Sequence, residues 1–311
     1  MARKKKGLPI HGWLVIDKPL GITSTQIVGK VRRLLNAQKV GHGGTLDPLA
    51  SGLLPLAFGE ATKTVSYAMD GRKSYRFAVK WGEATSTEDL EGDVIETSDH
   101  RPTKDEIIQA LAQFQGDISQ VPPRYSAIKI DGKRAYDLAR NGNEEFEMKS
   151  RTVRIDRFEL VEICNENEAV FEVDCGKGTY VRSLGRDIAK ALGTCAHVTE
   201  LRRTRVGPFT LAHAISLESL EEIGHSPAAE ELLLPVETAL DDISALALSE
   251  IEATRLRHGQ PLSMIARHDL ERIGDLVNGD VFLATENEIP VALARFEKGE
   301  VRSVRVLNLQ D

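Results

Sequence analysis

Gly41-His42-Gly43-Gly44-Thr45-Leu46-Asp47-Pro48-Leu49-Ala50-Ser51-Gly52 is the densest cluster of special residues in the chain. Four glycines, one proline, one histidine and one carboxylate in twelve residues describe a backbone shaped for close approach, not a core element. No Gly-Lys-Ser/Thr follows the glycines, so the segment is not a phosphate-binding loop. A later run, Gly176-Lys177-Gly178-Thr179, has Gly after its Lys and Phe171 where such a loop would begin with Gly. A phosphate-binding NTPase is therefore unsupported. On the residues alone Asp47 has two readings. It is either a turn former whose carboxylate accepts nearby backbone N–H groups, or a nucleophile or base held on a rigid loop. Physics alone leans to the turn former. His42 reads equally as a satisfied polar residue or as a ring that stacks on something.

Working outward, Thr23 and Ser24 precede Ile27, Val28, Val31, Leu34 and Leu35 on one helical face, with Asn36 able to take the left-handed turn at the end. Tyr75, Phe77, Val79 and Trp81 alternate with Arg76, Ala78 and Lys80, the pattern of a half-buried strand. Thr103 and Glu106 form a capping box ahead of Ile107, Ile108, Leu111 and Phe114. Ile128 and Ile130 lead into an Asp131-Gly132 turn, and Arg134 to Asn141 reads as a short helix stopped by Gly142. Strands are expected around Thr152 to Ile163 and Ala169 to Cys175, then a helix over Gly178 to Leu192 with Gly193 as its stop. The stretch from Ser216 to about Asp242 is acidic and helix-prone. A domain boundary is placed near residue 245. Beyond it a short helix (Ser249 to His258) and three strand-like runs (Val281 to Thr285, Val291 to Phe296, Val301 to Val306) predict a small β-rich module. Strands come in pairs joined by short turns, so the fold class is α+β, with a mixed, largely antiparallel sheet flanked by helices.

The 311 residues are 41% hydrophobic and 28% charged, an ordinary globular mix that suits two domains. No apolar run approaches a membrane span; the densest, Leu53 to Phe58, contains a proline. The opening Met-Ala-Arg-Lys-Lys-Lys-Gly is basic with no apolar run after it, so no secretory signal is expected. Three cysteines without C-x-x-C spacing point away from a disulfide framework and toward a reducing, cytoplasmic compartment. The histidines form no metal-binding pattern, and no metal is expected. Net charge is −7, which alone disfavours a polyanionic partner, but the charges are segregated. Residues 1–82 carry 14 Lys and Arg against 4 Asp and Glu, residues 83–100 carry 7 acidic residues and no basic one, and residues 216–311 carry 8 against 19. A basic N-terminal quarter can face phosphates while an acidic tail keeps the chain soluble. On charge alone, solvated faces explain the pattern as well.

An ordered set of motifs decides between these readings. Asp17-Lys18-Pro19-x-Gly21-x-Thr23-Ser24, then Thr45 to Pro55, Lys73-Ser74-Tyr75, Gln120-Val121-Pro122-Pro123-x-Tyr125-Ser126-Ala127-x-Lys129, Cys175 to Leu184, and Ala196-His197-Val198-x-x-Leu201-Arg202-Arg203 together resemble the TruB family of tRNA pseudouridine-55 synthases. The blocks occur in family order over roughly residues 10 to 215. Gly82, just before the acidic run, and Thr85, Thr87, Asp89 and Gly92 within it resemble a loop pattern of the same family. The segment after 245 looks like the PUA-like module of bacterial members, a softer match.

The resemblance implies a catalytic domain over residues 1–245 and a PUA-like domain over 246–311. It implies isomerisation of uridine 55 in the tRNA T-loop to pseudouridine, without cofactor or metal, by a monomer that acts on the T-arm stem-loop. Asp47 maps onto the family nucleophile, and Arg182 onto the arginine that pairs with it. Tyr75 maps onto the tyrosine that stacks on the target base; Tyr180 and Leu201 map onto the uracil pocket. His42 maps onto the residue that fills the stack left by the flipped base. The chemistry suits these residue types. A carboxylate can attack the anomeric carbon or take a proton from the sugar while the freed uracil turns in the pocket. A guanidinium keeps that carboxylate charged where desolvation would protonate it. A uridine inside a folded loop must first be extruded. Lys18, Lys63, Arg72, Lys73, Arg202, Arg203 and Arg205 are candidates for backbone phosphate contacts. A non-catalytic tRNA-binding or folding protein on the same fold is the alternative, and an intact Asp47, Tyr75 and Arg182 set argues against it.

Overall fold

The structure, a computed structural model, describes residues 7–126, 128–130, 133–135, 148–224 and 229–309. The N-terminal half contributes β1 (Gly12–Lys18), α1 (Ser24–Leu34), β2 (Val40–His42), β3 (Ala50–Phe58), α2 (Val65–Asp70), β4 (Lys73–Trp81), β5 (Glu83–Thr85), β6 (Val94–Thr97), α3 (Lys104–Leu111) and β7 (Gly116–Gln120). There follow β8 (Lys129–Ile130), β9 (Lys133–Arg134), β10 (Arg151–Asn165), β11 (Glu168–Cys175), α4 (Val181–Ala191), β12 (Ala196–Val206), β13 (Phe209–Thr210), β14 (Ala214–Ser216) and α5 (Leu217–Ile223). The C-terminal part adds β15 (Ala245–Ala247), α6 (Glu250–Arg257), β16 (Leu262–Ser263), β17 (Val281–Glu286), β18 (Ile289–Glu297) and β19 (Glu300–Val306).

Ten strands form one sheet in the order β14-β1-β3-β12-β4-β11-β10-β7, with β2 beside β3 and β13 beside β12. Only the β1–β14 and β3–β12 pairs are parallel, so the sheet is mixed and largely antiparallel. The helix signals read from the chain act as expected at two ends. Thr23 caps α1 in a reciprocal box with Gln26, and Asn36 closes the turn at φ 46°. Thr103 and Glu106 do the same for α3.

Several readings of the sequence meet a different outcome or none. The glycine-rich stretch belongs partly to the core: its first residues lie half-buried in β2, but Leu46 is buried and so is Ala50, which begins β3. Ala196 to Val206, which carried no strand signal, is the strand between β3 and β4 at the middle of the sheet. Helix α4 starts at Val181 rather than Gly178, because Gly178 is left-handed (φ 82°) and Tyr180 is the extended N-cap. From 216 to 242 the described residues hold α5, a β-bridge from Leu234 to Trp13 and a short 3₁₀ turn, Val236–Leu240, rather than a continuous helical stretch. The Asp131-Gly132 turn and most of the Arg134–Asn141 helix lie outside the described residues.

Strands β15 to β19 make a second, five-stranded sheet. Leu283, Leu293 and Leu307 from this part share a core with Trp13, Val15, Leu53 and Ala57 on the main sheet. Burial of that shared surface fixes one sheet against the other. Lys63 Nζ also donates to Val306 O at 2.7 Å, and Asn308 N to Glu60 Oε2 at 2.7 Å. Among the described residues no helix is long and apolar enough to cross a membrane.

Candidate active site

The turn that carries Asp47 is pinned through its own carbonyls. Buried carbonyls need partners, and here they find them in residues of the other motifs. Arg203, 2% exposed on β12, donates to Gly44 O (3.0 Å), Thr45 O (3.3 Å) and Leu53 O (2.8 Å). Ser24 Oγ donates to Leu46 O at 3.0 Å and accepts from Leu46 N at 2.9 Å. Ala50 N donates to Asp47 O and Gly21 N to Pro48 O. Gly52 has to be glycine: φ is 98°, and a Cβ would sit 2.2 Å from Arg203 O.

Lys18 corrects an expectation. It is completely buried, and its ammonium donates to Pro19 O (2.9 Å), Ile22 O (2.8 Å) and Pro48 O (3.3 Å). Three donors meet three carbonyls, so Lys18 holds the Asp47 turn and offers nothing to a phosphate. Lys73 and Arg203 are corrected in the same way. Lys73 is buried with its ammonium on Met69 O and Gly71 O. Arg202 makes a two-pronged pair with Asp17 at 3.0 and 2.6 Å, whereas Arg72 remains largely in solvent.

Asp47 points into a cleft of about 570 Å³ lined also by Tyr75, Tyr180, Arg182, Leu201 and Ser126. Its carboxylate is 44% exposed and meets Arg182 Nη2 at 2.8 Å. Arg182, 7% exposed at the start of α4, is held on its other sides by Thr87 O (3.0 Å), Tyr125 O (2.9 Å) and Asp89 Oδ2 (3.3 Å). A guanidinium held at both terminal nitrogens is fixed in place, so the carboxylate beside it is oriented toward the open cleft. Tyr75 is on β4 and Leu201 on β12, and Tyr180 enters from the α4 cap. The Gln120 amide clamps Tyr180, accepting its N–H at 2.8 Å and donating to its carbonyl at 3.2 Å. Lys177 and Arg151 lie at the exposed rim. His42 is not among the lining residues; it sits on β2 opposite Leu56, half-buried, with a buried Nδ1 that makes no hydrogen bond among the described residues.

Burial is the main electrostatic influence. It raises the Tyr75 and Tyr180 hydroxyls above the usual phenol value; Arg203 opposes the shift at Tyr75 and Arg151 at Tyr180. Burial, aided by Arg203, lowers the His42 imidazole below its usual value. Burial lowers Lys18 from its usual 10.5 to about 8, with Asp47 opposing and Arg203 reinforcing. This fixes a pH dependence. Between about 8 and 10.5 the folded protein gives up that proton before the unfolded chain does. Linkage therefore strengthens folding as pH rises through the window. A neutral amine has one donor fewer for its carbonyls, so turnover should fall about fivefold there, the worth of one hydrogen bond. A pH–rate profile with parallel melting curves checks this. The fall should be absent in Lys18→Met, which starts slower.

Residues 32–181 match the TruB family pseudouridylate synthase (N terminal domain), and residues 182–241 match the tRNA pseudouridylate synthase B C-terminal domain. The tRNA pseudouridine synthase B of Rhodospirillum rubrum is 52% identical over 309 residues, spanning 99% of this chain and 100% of the relative. The chain belongs to the TruB family. The Gluconacetobacter diazotrophicus relative of the same name is 53% identical over 308 residues, 98% of this chain and 100% of that one. Among solved structures, a Cbf5-Nop10-Gar1 complex matches with a TM-score of 0.71 and 27% identity, over 98% of this chain and 89% of that one. A chain from an H/ACA RNP bound to a substrate RNA containing 2'-deoxyuridine matches at 0.72 and 25%, over 100% and 92%. The core architecture is thus that of TruB-type pseudouridine synthases. The two TruB family matches meet between Val181 and Arg182, inside the first turn of α4, so that junction is no boundary in the fold.

Reading the TruB motifs left several residues without a role. Asp89 and Thr87 complete the Arg182 shell, and Gln120 clamps Tyr180. The acidity of 83–100 was the available signal. Glu88 and Asp89 are turned inward against Arg186 and Arg182, and Glu83 pairs with Lys80. Part of that charge is therefore internal counter-charge. Among the described residues no group of His, Cys, Asp or Glu is placed to hold a metal ion.

Proposed function

We propose that the protein converts uridine 55 in the T-loop of tRNA to pseudouridine, with Asp47 as nucleophile. The observation that carries this reading is the 2.8 Å Asp47–Arg182 pair, exposed on one side to a cleft walled by Tyr75, Tyr180 and Leu201. The reaction breaks the bond from the sugar anomeric carbon to uracil N1 and forms one to C5; the proton leaves C5 and N1 gains one, so atoms balance without a co-reactant. A carboxylate at the sugar holds the separated fragments, by attack on the anomeric carbon or by removal of a sugar proton. Flat walls let the freed base turn without escaping. The target base has to be everted from its loop to enter a cleft of this size. Family membership supports an RNA substrate and an isomerase. A T-arm stem-loop bound by a monomeric protein is the substrate complex this reading expects, with residues 1–245 carrying the chemistry and 246–311 as the smaller domain.

The test is incubation of the purified protein with an unmodified T-arm stem-loop, followed by assay for pseudouridine. Binding without product favours the non-catalytic RNA-binding alternative. Tyr75→Phe refines the picture. The ring packs against the Phe77 and Val79 core, and Phe keeps that contact. If the hydroxyl moves a proton, the turnover step drops about 10²-fold while stem-loop affinity is unchanged. Wild-type rate and affinity in Tyr75→Phe would assign Tyr75 to stacking alone, because Phe keeps the ring face.

A further inference from the structure

Helix α4 carries a second arginine one turn beyond the one that meets Asp47. Arg186 follows Arg182 by four residues, so the two share a helix face. Its Nη1 lies 2.5 Å from Glu88 Oε1, its Nη2 donates to Val121 O at 2.8 Å and its Nε to Asp187 Oδ1 at 2.8 Å. Ser183 Oγ, on the same helix, lies 3.0 Å from Val121 O and 3.3 Å from Glu88 Oε2. One guanidinium therefore ties two separate segments to α4.

Both segments complete the shell of Arg182. Glu88 adjoins Thr87 and Asp89, which hold Nη1 of Arg182. Val121 adjoins Gln120, the clamp on Tyr180, and the same segment runs to Tyr125, whose carbonyl holds Nη2 of Arg182. The Glu88 backbone is left-handed at φ 63°. A long side chain keeps that conformation only where its contacts hold it. Here the contacts are Arg186, Ser183 and the Val198 N–H that donates to Glu88 O. Neither Glu88 nor Arg186 lines the Asp47 cleft.

We propose that the Glu88–Arg186 pair, braced by Ser183 and the Val121 carbonyl, is a positioning device that locks Arg182 against Asp47. The inference rests on reading the cleft as the pseudouridine-forming site. Stability is a poor explanation for the pair. Burial raises the Glu88 carboxyl above its usual range, and Arg186 and Arg182 offset this incompletely, with Asp187 adding to it. Largely buried pairs of this kind are often replaced by apolar residues without loss of folding. What apolar residues cannot reproduce is the simultaneous hold on two segments.

The experiment compares wild type, Arg186→Lys and the double variant Glu88→Met with Arg186→Met. Single-turnover rate, stem-loop affinity and melting temperature are measured on the full chain, and the double variant is crystallised. A displacement of about 1 Å is enough to lower the rate about 10- to 100-fold. The double variant should show that loss, with affinity within about twofold of wild type and melting preserved. Its Arg182 should have left the 2.8 Å contact with Asp47. Arg186→Lys keeps the charge but not the two-sided grip, and should fall between. A folded double variant with wild-type rate, a loss confined to affinity, or an unmoved Arg182 overturns the proposal. A wild-type protein that makes no pseudouridine overturns the reading of the cleft instead, and the Arg182–Asp47 distance in the double variant still decides the bracing.

Discussion

Asp47→Asn gives a protein that folds, binds a T-arm stem-loop and forms no pseudouridine. Asn matches Asp in shape, and at 44% side-chain exposure the position contributes little to the core. The turn around it is held by Lys18, Ser24 and Arg203 through main-chain atoms, none of which the substitution touches. Arg182 keeps the Asp89 carboxylate and the Thr87 and Tyr125 carbonyls, so no bare cation is left buried. What disappears is the charged oxygen facing the sugar. Removal of a nucleophile costs on the order of 10⁴-fold or more in turnover. Measurement of pseudouridine after prolonged incubation, with gel-shift affinity and a melting curve alongside, checks all three parts. Turnover within tenfold of wild type would remove Asp47 from the chemistry.

Arg182→Lys comes next in size, and for a different reason. Charge is conserved, but one ammonium cannot reach two carboxylates and two carbonyls that a guanidinium spans with two nitrogens. The deprived carbonyl is buried and lowers stability by about 1–3 kcal/mol. The carboxylate of Asp47 loses its oriented partner, and turnover falls about 10²- to 10³-fold. Affinity for the stem-loop holds, because Arg182 lies behind Asp47 and not on the rim. A folded Arg182→Lys protein with full activity would contradict the pairing role.

The two halves of the site were unequally visible before the fold was known. The Thr23 and Thr103 caps, the β4 alternation and the β10–β11 pair rest on contacts within a few residues or on a period of two, and the chain order displays them directly. The motif blocks likewise named Asp47, Tyr75, Tyr180, Arg182 and Leu201, which the fold gathers around one cleft. Strand β12 was hidden because Glu200, Arg202, Arg203 and Arg205 look like a solvated run. The inward face becomes visible only when Gly44, Thr45 and Leu53 present carbonyls to Arg203. Lys18 misled for the same reason. Its type suggests a phosphate contact, and nothing nearby in the chain announces that Pro48, thirty residues away, supplies a carbonyl.

By itself, then, the chain order determined the locally signalled elements, the class of sheet, and a set of residues suited to one chemistry, since capping, periodicity and motif spacing are local properties. Tertiary structure alone decided which charges work inside the molecule. Lys18, Arg203, Glu88, Asp89 and Arg186 become buried partners only when distant segments close around them. A charge's role is set by the dielectric and the counter-charges it meets in space, and those are assembled by the fold.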